Sequence, residues 1–225
     1  MDKVILKASK ICKSYKNGDK NLSVLKDFSL EIMQNEIITI TGQSGSGKST
    51  ALNILGTLDL PDSGLLEICG KEIKDLKENE LSELRNANIG FVFQFHHLLS
   101  EFTAIENVLI PTWIKGIINK KNDAIQLFEK LNLASKINYF PNQLSGGERS
   151  RVALIRAIIN KPDILFADEP TGNLDIKNAI VLIDLLKQIN KDFNQSIILT
   201  THNPDVALIG HRRFHLENGI LHEQK

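Results

Sequence analysis

The feature that most constrains this chain of 225 residues is a glycine-rich segment, GQSGSGKS, at residues 42–49. It follows the apolar run 37–41, and a stretch with helical character begins at Lys48. A strand, a glycine loop and a helix in this order are the context that the pattern GxxxxGK[ST] requires. Glycines let the backbone wrap closely around a phosphate, because no Cβ atoms obstruct it. The segment therefore predicts a phosphate-binding loop in an α/β fold.

Three further characteristic segments follow the glycine loop along the chain. They are LSGGE at 144–148, the apolar run ILFA that closes on Asp168 and Glu169, and the β-rich run IILT that leads to Thr201 and His202. The run before Asp168 shows no polar alternation, which predicts a strand that is buried on both faces and ends at the ligand edge of a parallel sheet. Both carboxylates are therefore expected beside the bound phosphates.

Composition and charge exclude several classes of protein. Lys plus Arg and Asp plus Glu number 27 each, so no net charge attracts a nucleic-acid backbone. The apolar runs are far shorter than the roughly 18 residues that cross a bilayer, and charges interrupt residues 1–7 before a signal peptide could form. We therefore expect no nucleic-acid partner, no membrane span and a place in the cytoplasm. Cys12 and Cys69 stand alone, which favours two plain thiols over a metal site or a disulfide.

Strand-like runs alternate with helical ones, so the sequence predicts one α/β domain over residues 1–225. Residues 1–90 and 140–225 are expected to form the core. Residues 91–139, which have more helical patterning, are expected to form an inserted helical subdomain.

The predicted elements are as follows. Strands are expected at 4–11, 24–32, 37–41, 91–93, 164–167 and 197–200, and core helices at 48–55, 147–159 and 177–189. In the insert, helices over 101–110 and 123–131 flank a break at Pro111, because proline removes an N–H and clashes in a helix interior. Asn218 and Gly219 predict the type I′ turn of a C-terminal hairpin.

Together, the glycine loop, the LSGG signature and the run that closes on Asp168 and Glu169 resemble the nucleotide-binding domain of ABC transporters. The resemblance covers essentially the whole chain and depends most on LSGG, since the glycine loop alone occurs in many unrelated families. It implies an ATPase with ATP and Mg²⁺ as cofactors. It also implies an N-terminal antiparallel β subdomain beside the inserted α-helical subdomain.

The resemblance assigns nucleotide binding to residues along the whole chain. They are Tyr15, Gly42, Gln43, Ser44, Gly45, Ser46, Gly47, Lys48, Ser49, Thr50 and Gln94. The ring of Tyr15 is expected to stack on adenine, and the alternative is an ordinary surface aromatic. Lys48 adds a positive charge at the phosphates. Ser49, Gln94 and Asp168 are expected to hold Mg²⁺.

Glu169 and His202 are the expected catalytic residues. Glu169 is within reach of an attacking water as general base. His202 resembles the histidine that contacts the γ-phosphate and orients that water. The alternatives are a helix-cap role for Glu169 and a structural role for His202. Asn203 follows His202 where the family usually has Asp.

A second copy of the chain is expected to complete each site, because the family pairs two subunits head to tail with two-fold symmetry. The signature residues expected to cap the partner's ATP are Leu144, Ser145, Gly146, Gly147 and Glu148. Asp175 resembles the residue of the loop that passes between the two sites. Ser150 departs from the Gln often found after Glu-Arg in this signature.

A segment in the middle of the chain indicates a subgroup of the family. The runs QFHHLL at 94–99, FTAIENV at 102–108 and EPTGNLD at 169–175 resemble ATPases of lipoprotein-releasing systems. This resemblance implies integral membrane subunits of the LolC/LolE type as partners and a peripheral place at the cytoplasmic face of the inner membrane. His96 and His97 are expected to contact such a partner, and the alternatives are surface or packing histidines or a metal site.

Other functions stay open. FtsE-like and MacB-like ATPases belong to the same subgroup, but FtsE-type sequences usually lack the paired histidines, and MacB carries its membrane segment in the same polypeptide. A soluble ABC ATPase of DNA repair or translation normally has long coiled-coil arms or two fused cassettes. A P-loop kinase offers no reason for the LSGG signature.

Overall fold

The computed structural model describes residues 3–18 and 20–224. Over these residues ten strands form two sheets. The strands are β1 (Val4–Asn17), β2 (Lys20–Met33), β3 (Ile37–Thr41), β4 (Ser63–Ile68), β5 (Lys71–Glu72), β6 (Ile89–Phe93), β7 (Ile164–Asp168), β8 (Ser196–Thr201), β9 (Arg212–Glu217) and β10 (Ile220–Gln224). The helices are α1 (Lys48–Leu55), α2 (Glu78–Asn88), α3 (Ala104–Ile114), α4 (Lys121–Lys130), α5 (Gly146–Ile158), α6 (Ile176–Phe193) and α7 (Pro204–Ala207), with short 3₁₀ helices at Ile73–Asp75, Ala134–Lys136 and Pro141–Gln143.

The larger sheet has the order β10-β9-β3-β8-β7-β6 and is parallel except at its β9–β10 edge. In this register Thr41 lies opposite Thr201, and Asp168 lies between Phe93 and Thr200. The carboxyl ends of β3, β8, β7 and β6 therefore meet at one edge. This arrangement confirms the predicted α/β class.

Both faces of the larger sheet are covered. Along β7, Leu165 and Ala167 face a core shared with α3 to α6, whereas Ile164 and Phe166 face a core shared with α1, α2 and the smaller sheet. All four side chains are fully buried. The unbroken apolar run is explained by this two-sided burial, as predicted.

The smaller sheet is antiparallel, in the order β2-β1-β4-β5, which confirms the predicted N-terminal β subdomain. Strands β1 and β2 are longer than predicted, because residues near their hairpin turn such as Lys16 and its partner Asn21 are polar and exposed, and no apolar run marks them. The same lack of an apolar signal hid α2, of which only Leu81 and Leu84 are buried.

The predicted break at Pro111 is wrong. Helix α3 begins after its cap at Thr103 and continues through Pro111 to Ile114. The carbonyl of Pro111 accepts hydrogen bonds from the side-chain amides of Asn86 (3.0 Å) and Asn160 (3.2 Å). These tertiary contacts hold the turn although proline removes one hydrogen bond of the helix.

Two local features define the ends of the sheet. Residues 91–93 belong to β6, which pairs with β7, so they lie in the core sheet and not in the helical insert. Asn218 (φ 51°) and Gly219 (φ 82°) both have positive φ, which confirms the type I′ turn. The N–H of Lys26 donates to the carbonyl of Gly219 at 2.8 Å and ties this turn to β2.

In the described part of the chain, no helix combines the length and apolarity needed to cross a bilayer.

Candidate active site

The glycine loop lies between the end of β3 and the first turn of α1, where the sequence predicts it. Gly45 (φ 79°) and Gly47 (φ 103°) have a backbone conformation that side chains disfavour. A Cβ atom on Gly47 would also lie 3.0 Å from Cγ1 of Val24, so the loop packs closely against β2. Clefts of about 340 and 490 Å³ open on either side of this loop.

Lys48 points into the loop that precedes it. Its side chain is only 6% exposed, and Nζ donates to the carbonyls of Gly42 (2.9 Å) and Gln43 (3.1 Å). The buried hydroxyl of Ser46, in the same loop, has no hydrogen-bond partner among the described residues. A buried ammonium, an unpaired hydroxyl and the N-terminus of α1 form an environment that fits a phosphate group.

Glu169 connects two of the predicted segments. Its Oε1 lies 3.2 Å from Nζ of Lys48, and its Oε2 contacts Nδ1 of His202. Glu169 has a positive φ of 44°, and its N–H donates to the carbonyl of Thr200 at 3.1 Å. It caps no helix, since Asp175 is the N-cap of α6. Lys48, Glu169 and His202 therefore form a row of contacting side chains. His202 is its solvent-facing end, because its side chain is 64% exposed.

Asp168 is the last residue of β7 and is held from the neighbouring strand. Its Oδ1 accepts a hydrogen bond from the hydroxyl of Thr200 at 2.6 Å. Ser49 is exposed in the first turn of α1. In the described residues no cluster of three or more His, Cys, Asp or Glu side chains forms a metal site. A carboxylate and a hydroxyl are oxygen ligands of the type that Mg²⁺ uses when phosphates and water supply the rest.

Tyr15 is held by a network that the sequence did not reveal. Its hydroxyl donates to Oδ2 of Asp59 at 2.6 Å, and Lys13 donates to Oδ1 of the same carboxylate at 2.8 Å. The Lys13 ammonium lies 5.2 Å from the centre of the Tyr15 ring. Burial, followed by the hydrogen bond to Asp59, raises the pKa of Tyr15.

Gln94 faces the loop that follows Glu169. Its Nε2 lies 3.3 Å from Oδ1 of Asn173, and Nδ2 of Asn173 donates back to the carbonyl of Gln94 at 3.1 Å. A Cβ on Gly172 would lie 2.8 Å from Nε2 of Gln94. These contacts join the end of β6 to the loop 169–175, and they do not bring Gln94 to the glycine loop.

The signature residues form the N-terminus of α5. Ser145 is the N-cap: its Oγ accepts from the N–H of Glu148 (3.2 Å), and Glu148 accepts from the N–H of Ser145 (2.7 Å). This backbone hydrogen bond lowers the pKa of Glu148, which also pairs with Lys136 at 3.4 Å. Leu144 is buried and anchors the turn. Among the described residues, no hydrogen bond or ion pair joins 144–148 to the glycine loop of the same chain.

The N-terminus of α6 lies against that of α5. Asp175 caps α6 by accepting from the N–H and the side-chain amide of Asn178, both at 2.8 Å. A Cβ on Gly147 would lie 2.2 Å from Oδ1 of Asn178, so only glycine allows this approach. The signature and the segment 172–175 therefore form one continuous surface.

The two adjacent histidines differ in their environments. His96 is partly buried, and its Nε2 lies 2.6 Å from Oγ of Ser150. His97 is exposed, with its ring 5.0 Å from that of Phe93. Burial lowers the pKa of His96, and the charges of Arg149 and Arg156 act in the same direction. The ring of His96 therefore packs against α5, and contact of this histidine pair with a membrane partner stays a prediction.

A phosphate-binding loop, two carboxylates and a histidine at one sheet edge, with the Ser145-capped, glycine-rich N-terminus of α5 on a separate surface, define the nucleotide-binding class of ABC proteins. Comparison with known proteins supports the assignment to this class. The model of the family described as ABC transporter matches residues 25–172, and the chain belongs to this family. It is an ABC ATPase, as predicted, and such ATPases bind ATP.

Two relatives and one solved structure are similar to this chain over nearly its whole length. "Lipoprotein-releasing system ATP-binding protein LolD" of Pseudoalteromonas translucida is 46% identical over 209 residues, which cover 92% of this chain and 90% of that protein. The protein of the same name from Shewanella oneidensis is 41% identical over 223 residues, with 98% and 97% covered. A solved dimeric post-hydrolysis state of the ATP-binding cassette MJ0796, bound to ADP and Pi, is 38% identical with a TM-score of 0.91 and 98% of both chains covered.

Proposed function

We propose that this chain is the ATPase subunit of an ABC transporter that releases lipoproteins from the inner membrane toward the outer membrane. The observation that carries the ATPase part is the row formed by Lys48, Glu169 and His202 at one sheet edge. The support for lipoprotein release is the similarity to the LolD proteins, which extends over nearly the whole chain.

The first step is nucleotide binding. Tyr15 stacks on adenine, while the loop 42–47 and Lys48 hold the phosphates. Lys48 has two carbonyls and one carboxylate as partners, so a bound phosphate competes with Glu169 for the same ammonium. Hydrogen bonds to charged groups contribute about 1.5–3 kcal/mol each, and the loop therefore dominates affinity for ATP.

The second step is hydrolysis. Once the phosphate holds Lys48, the carboxylate of Glu169 accepts a proton from the attacking water, and the water oxygen bonds to the γ-phosphorus as the bond to ADP breaks. His202 contacts the γ-phosphate and orients the water. Ser49, Gln94 and Asp168 would hold Mg²⁺, which neutralises phosphate charge when it is bound. Gln94 has to leave its contact with Asn173 to do so.

A second copy of the chain completes each site. The exposed Ser145 and the N–H groups of Gly146 and Gly147 present a helix N-terminus, which favours a negatively charged group such as the γ-phosphate. With head-to-tail pairing, this surface meets the ATP of the other subunit. Asp175 lies on the same surface, because α5 and α6 begin side by side.

Integral membrane subunits of the LolC/LolE type are the proposed partners, and they would hold the chain at the cytoplasmic face of the inner membrane. The segment after Gln94 and the helical region present exposed apolar side chains suited to such contacts, with Phe95 71% exposed and Ile114 and Ile118 exposed as well. His97 lies beside Phe95 on this surface.

Capture from membranes tests this proposal. A Glu169→Gln chain with ATP is used as bait in detergent-solubilised membranes of its own source, and the captured complex is placed in liposomes that contain a lipoprotein. We expect membrane subunits with large extracytoplasmic domains, and ATP-dependent lipoprotein release by the complex with the natural chain. Phe95→Ala should reduce capture, whereas Leu208→Ala, which alters another exposed apolar residue, should not.

Other outcomes reject parts of the proposal. A division-type membrane partner would favour an FtsE-like role, and an exporter that releases no lipoprotein would favour a MacB-like role. Recovery of only soluble or ribosomal proteins would reject the transporter role while leaving the ATPase mechanism intact.

A further inference from the structure

The hydroxyl of Ser150 links two parts of the molecule. Ser150 is buried in the second turn of α5, and its Oγ donates to the carbonyl of Gly146 at 3.1 Å. A hydroxyl has one proton, so toward His96 the same oxygen is an acceptor. The network therefore assigns the proton of His96 to Nε2, which donates to Ser150. One serine thus joins His96 to the first residue of α5.

A second side chain of α5 binds the same turn. Arg156 donates from Nη2 to the carbonyl of His96 and from Nη1 to the carbonyl of His97, both at 2.6 Å. Three hydrogen bonds between α5 and residues 96–97 therefore hold the turn 94–97.

The backbone of this turn is unfavourable by itself. His96 (φ 60°) and His97 (φ 48°) both adopt the left-handed conformation that residues other than glycine disfavour. Such conformations persist only where surrounding contacts maintain them, and they are frequent at switch regions. The contacts of Ser150 and Arg156 supply that support.

We propose that His96 is a positioning residue, which through its hydrogen bond to Ser150 couples the segment after Gln94 to the signature residues at the start of α5. A displacement of the turn 94–97 moves Ser150, and Ser150 moves the carbonyl of Gly146 within the surface that caps the partner's ATP. The inference rests on the proposed action of 144–148 in trans.

Hydrolysis by the purified full-length chain tests this coupling. His96→Ala and Ser150→Ala should each lower kcat by roughly 10- to 100-fold, because small misplacements remote from the chemistry have effects of this size. The double variant should be no worse than either single variant, since both remove one interaction. Affinity of the monomer for a fluorescent ATP analogue should stay within about twofold, because each chain binds ATP through its own loop.

Conservative and matched variants separate coupling from folding. His96→Gln retains an N–H donor and should recover most of the lost kcat. His222→Ala and Ser100→Ala remove residues of the same types at exposed positions elsewhere, and they should leave kcat unchanged. If His96→Ala does not fold, Ser150→Ala removes the same hydrogen bond with a change of one atom.

Several results would overturn the proposal. An unchanged kcat in His96→Ala or Ser150→Ala, or additive losses in the double variant, would reject the coupling. Parallel losses of kcat, ATP affinity and Tm without recovery in His96→Gln would indicate a merely structural contact.

Ser145→Arg in the same assay distinguishes failure of the His96–Ser150 coupling from failure of the proposed action of the signature in trans. If Ser145→Arg blocks hydrolysis and the His96 variants do not, only the coupling fails. If Ser145→Arg also has no effect, the action of the signature in trans fails, and the coupling fails with it. No membrane subunit is present in this assay, so an error about the transported substrate does not affect its result.

Discussion

Nζ of Lys48 lies 3.2 Å from Oε1 of Glu169, although 120 residues separate the two in sequence. The contact arises because β3 and β7 flank β8, so the loop after β3 and the turn after β7 meet at one sheet edge. The second oxygen of the same carboxylate contacts His202, which follows β8. One carboxylate therefore joins the glycine loop to the histidine, and in the proposed function it exchanges its partner when a phosphate takes Lys48.

Glu169→Gln is expected to preserve ATP binding and nearly stop hydrolysis, because the amide cannot accept the proton of water. Loss of a general base lowers kcat by about 10²–10⁴-fold. ATP should then hold the chain as a dimer, detected by size-exclusion chromatography beside a steady-state ATPase assay. Glu101→Gln, at an exposed acid that accepts a hydrogen bond from Ser100, serves as control. Normal turnover in Glu169→Gln would rule out the general-base assignment.

Two inactive chains are expected to restore each other's activity. Lys48→Ala damages the loop and Ser145→Arg damages the signature, so in a mixed dimer both defects fall on one site and the other site is intact. An equal mixture should recover about a quarter of the normal rate, since half of the dimers are mixed and each has one working site. The ATPase rate across mixing ratios measures this effect, and complete inactivity at every ratio would contradict composite sites. Ser145→Arg also removes the cap of α5, so its ATP binding and Tm need to be measured first.

The row of Lys48, Glu169 and His202 could be predicted from sequence, because each residue follows an apolar run that becomes a parallel strand. Sequence order then places their side chains at a common edge. The helix through Pro111 could not be predicted, since the amides that hold it come from Asn86 and Asn160 in other elements.

The contacts of Asp59 and Ser150 were also hidden in the sequence. Asp59 lies in a turn, and only the tertiary fold brings it to Tyr15. Ser150 is visible as a departure from the family pattern, but its partner His96 lies 54 residues away. Side-chain hydrogen bonds between distant segments leave no periodic signal, whereas buried strands and glycine loops do.

Asp59→Ala is expected to weaken ATP binding without changing kcat, because Tyr15 loses the hydrogen bond that fixes its ring. One such bond contributes about 1 kcal/mol, which corresponds to a roughly fivefold higher KM. Tyr15→Phe should have a similar effect, and combining the two should add nothing. Asp62→Asn is a matched control, since Asp62 contacts Lys13 and the N–H of Ser14 but not Tyr15. An equal loss from Asp59→Ala in a Tyr15→Ala background would show that Asp59 acts by another route.

Gly147→Ala is expected to destabilise the fold, whereas Gly146→Ala is not. The added methyl group at Gly147 would lie 2.2 Å from Oδ1 and 2.5 Å from Cγ of Asn178, while at Gly146 the nearest atom is 3.8 Å away. Overpacking of this kind lowers the free energy of unfolding by about 1–3 kcal/mol. Urea unfolding of both variants measures the difference, and equal stability would show that the start of α6 moves aside freely.

Acidification is expected to destabilise the natural chain more than His96→Gln. Burial lowers the pKa of His96, and the charges of Arg149 and Arg156 add to the shift. Because the folded-state pKa lies below the unfolded value of about 6.5, the stabilising contribution is complete above that pH and is lost as pH falls. Urea midpoints between pH 8 and pH 5 should therefore fall less steeply in His96→Gln, and His222→Gln, at an exposed histidine, should follow the natural chain. Identical slopes in all three proteins would show that protonation of His96 is not resisted by the fold.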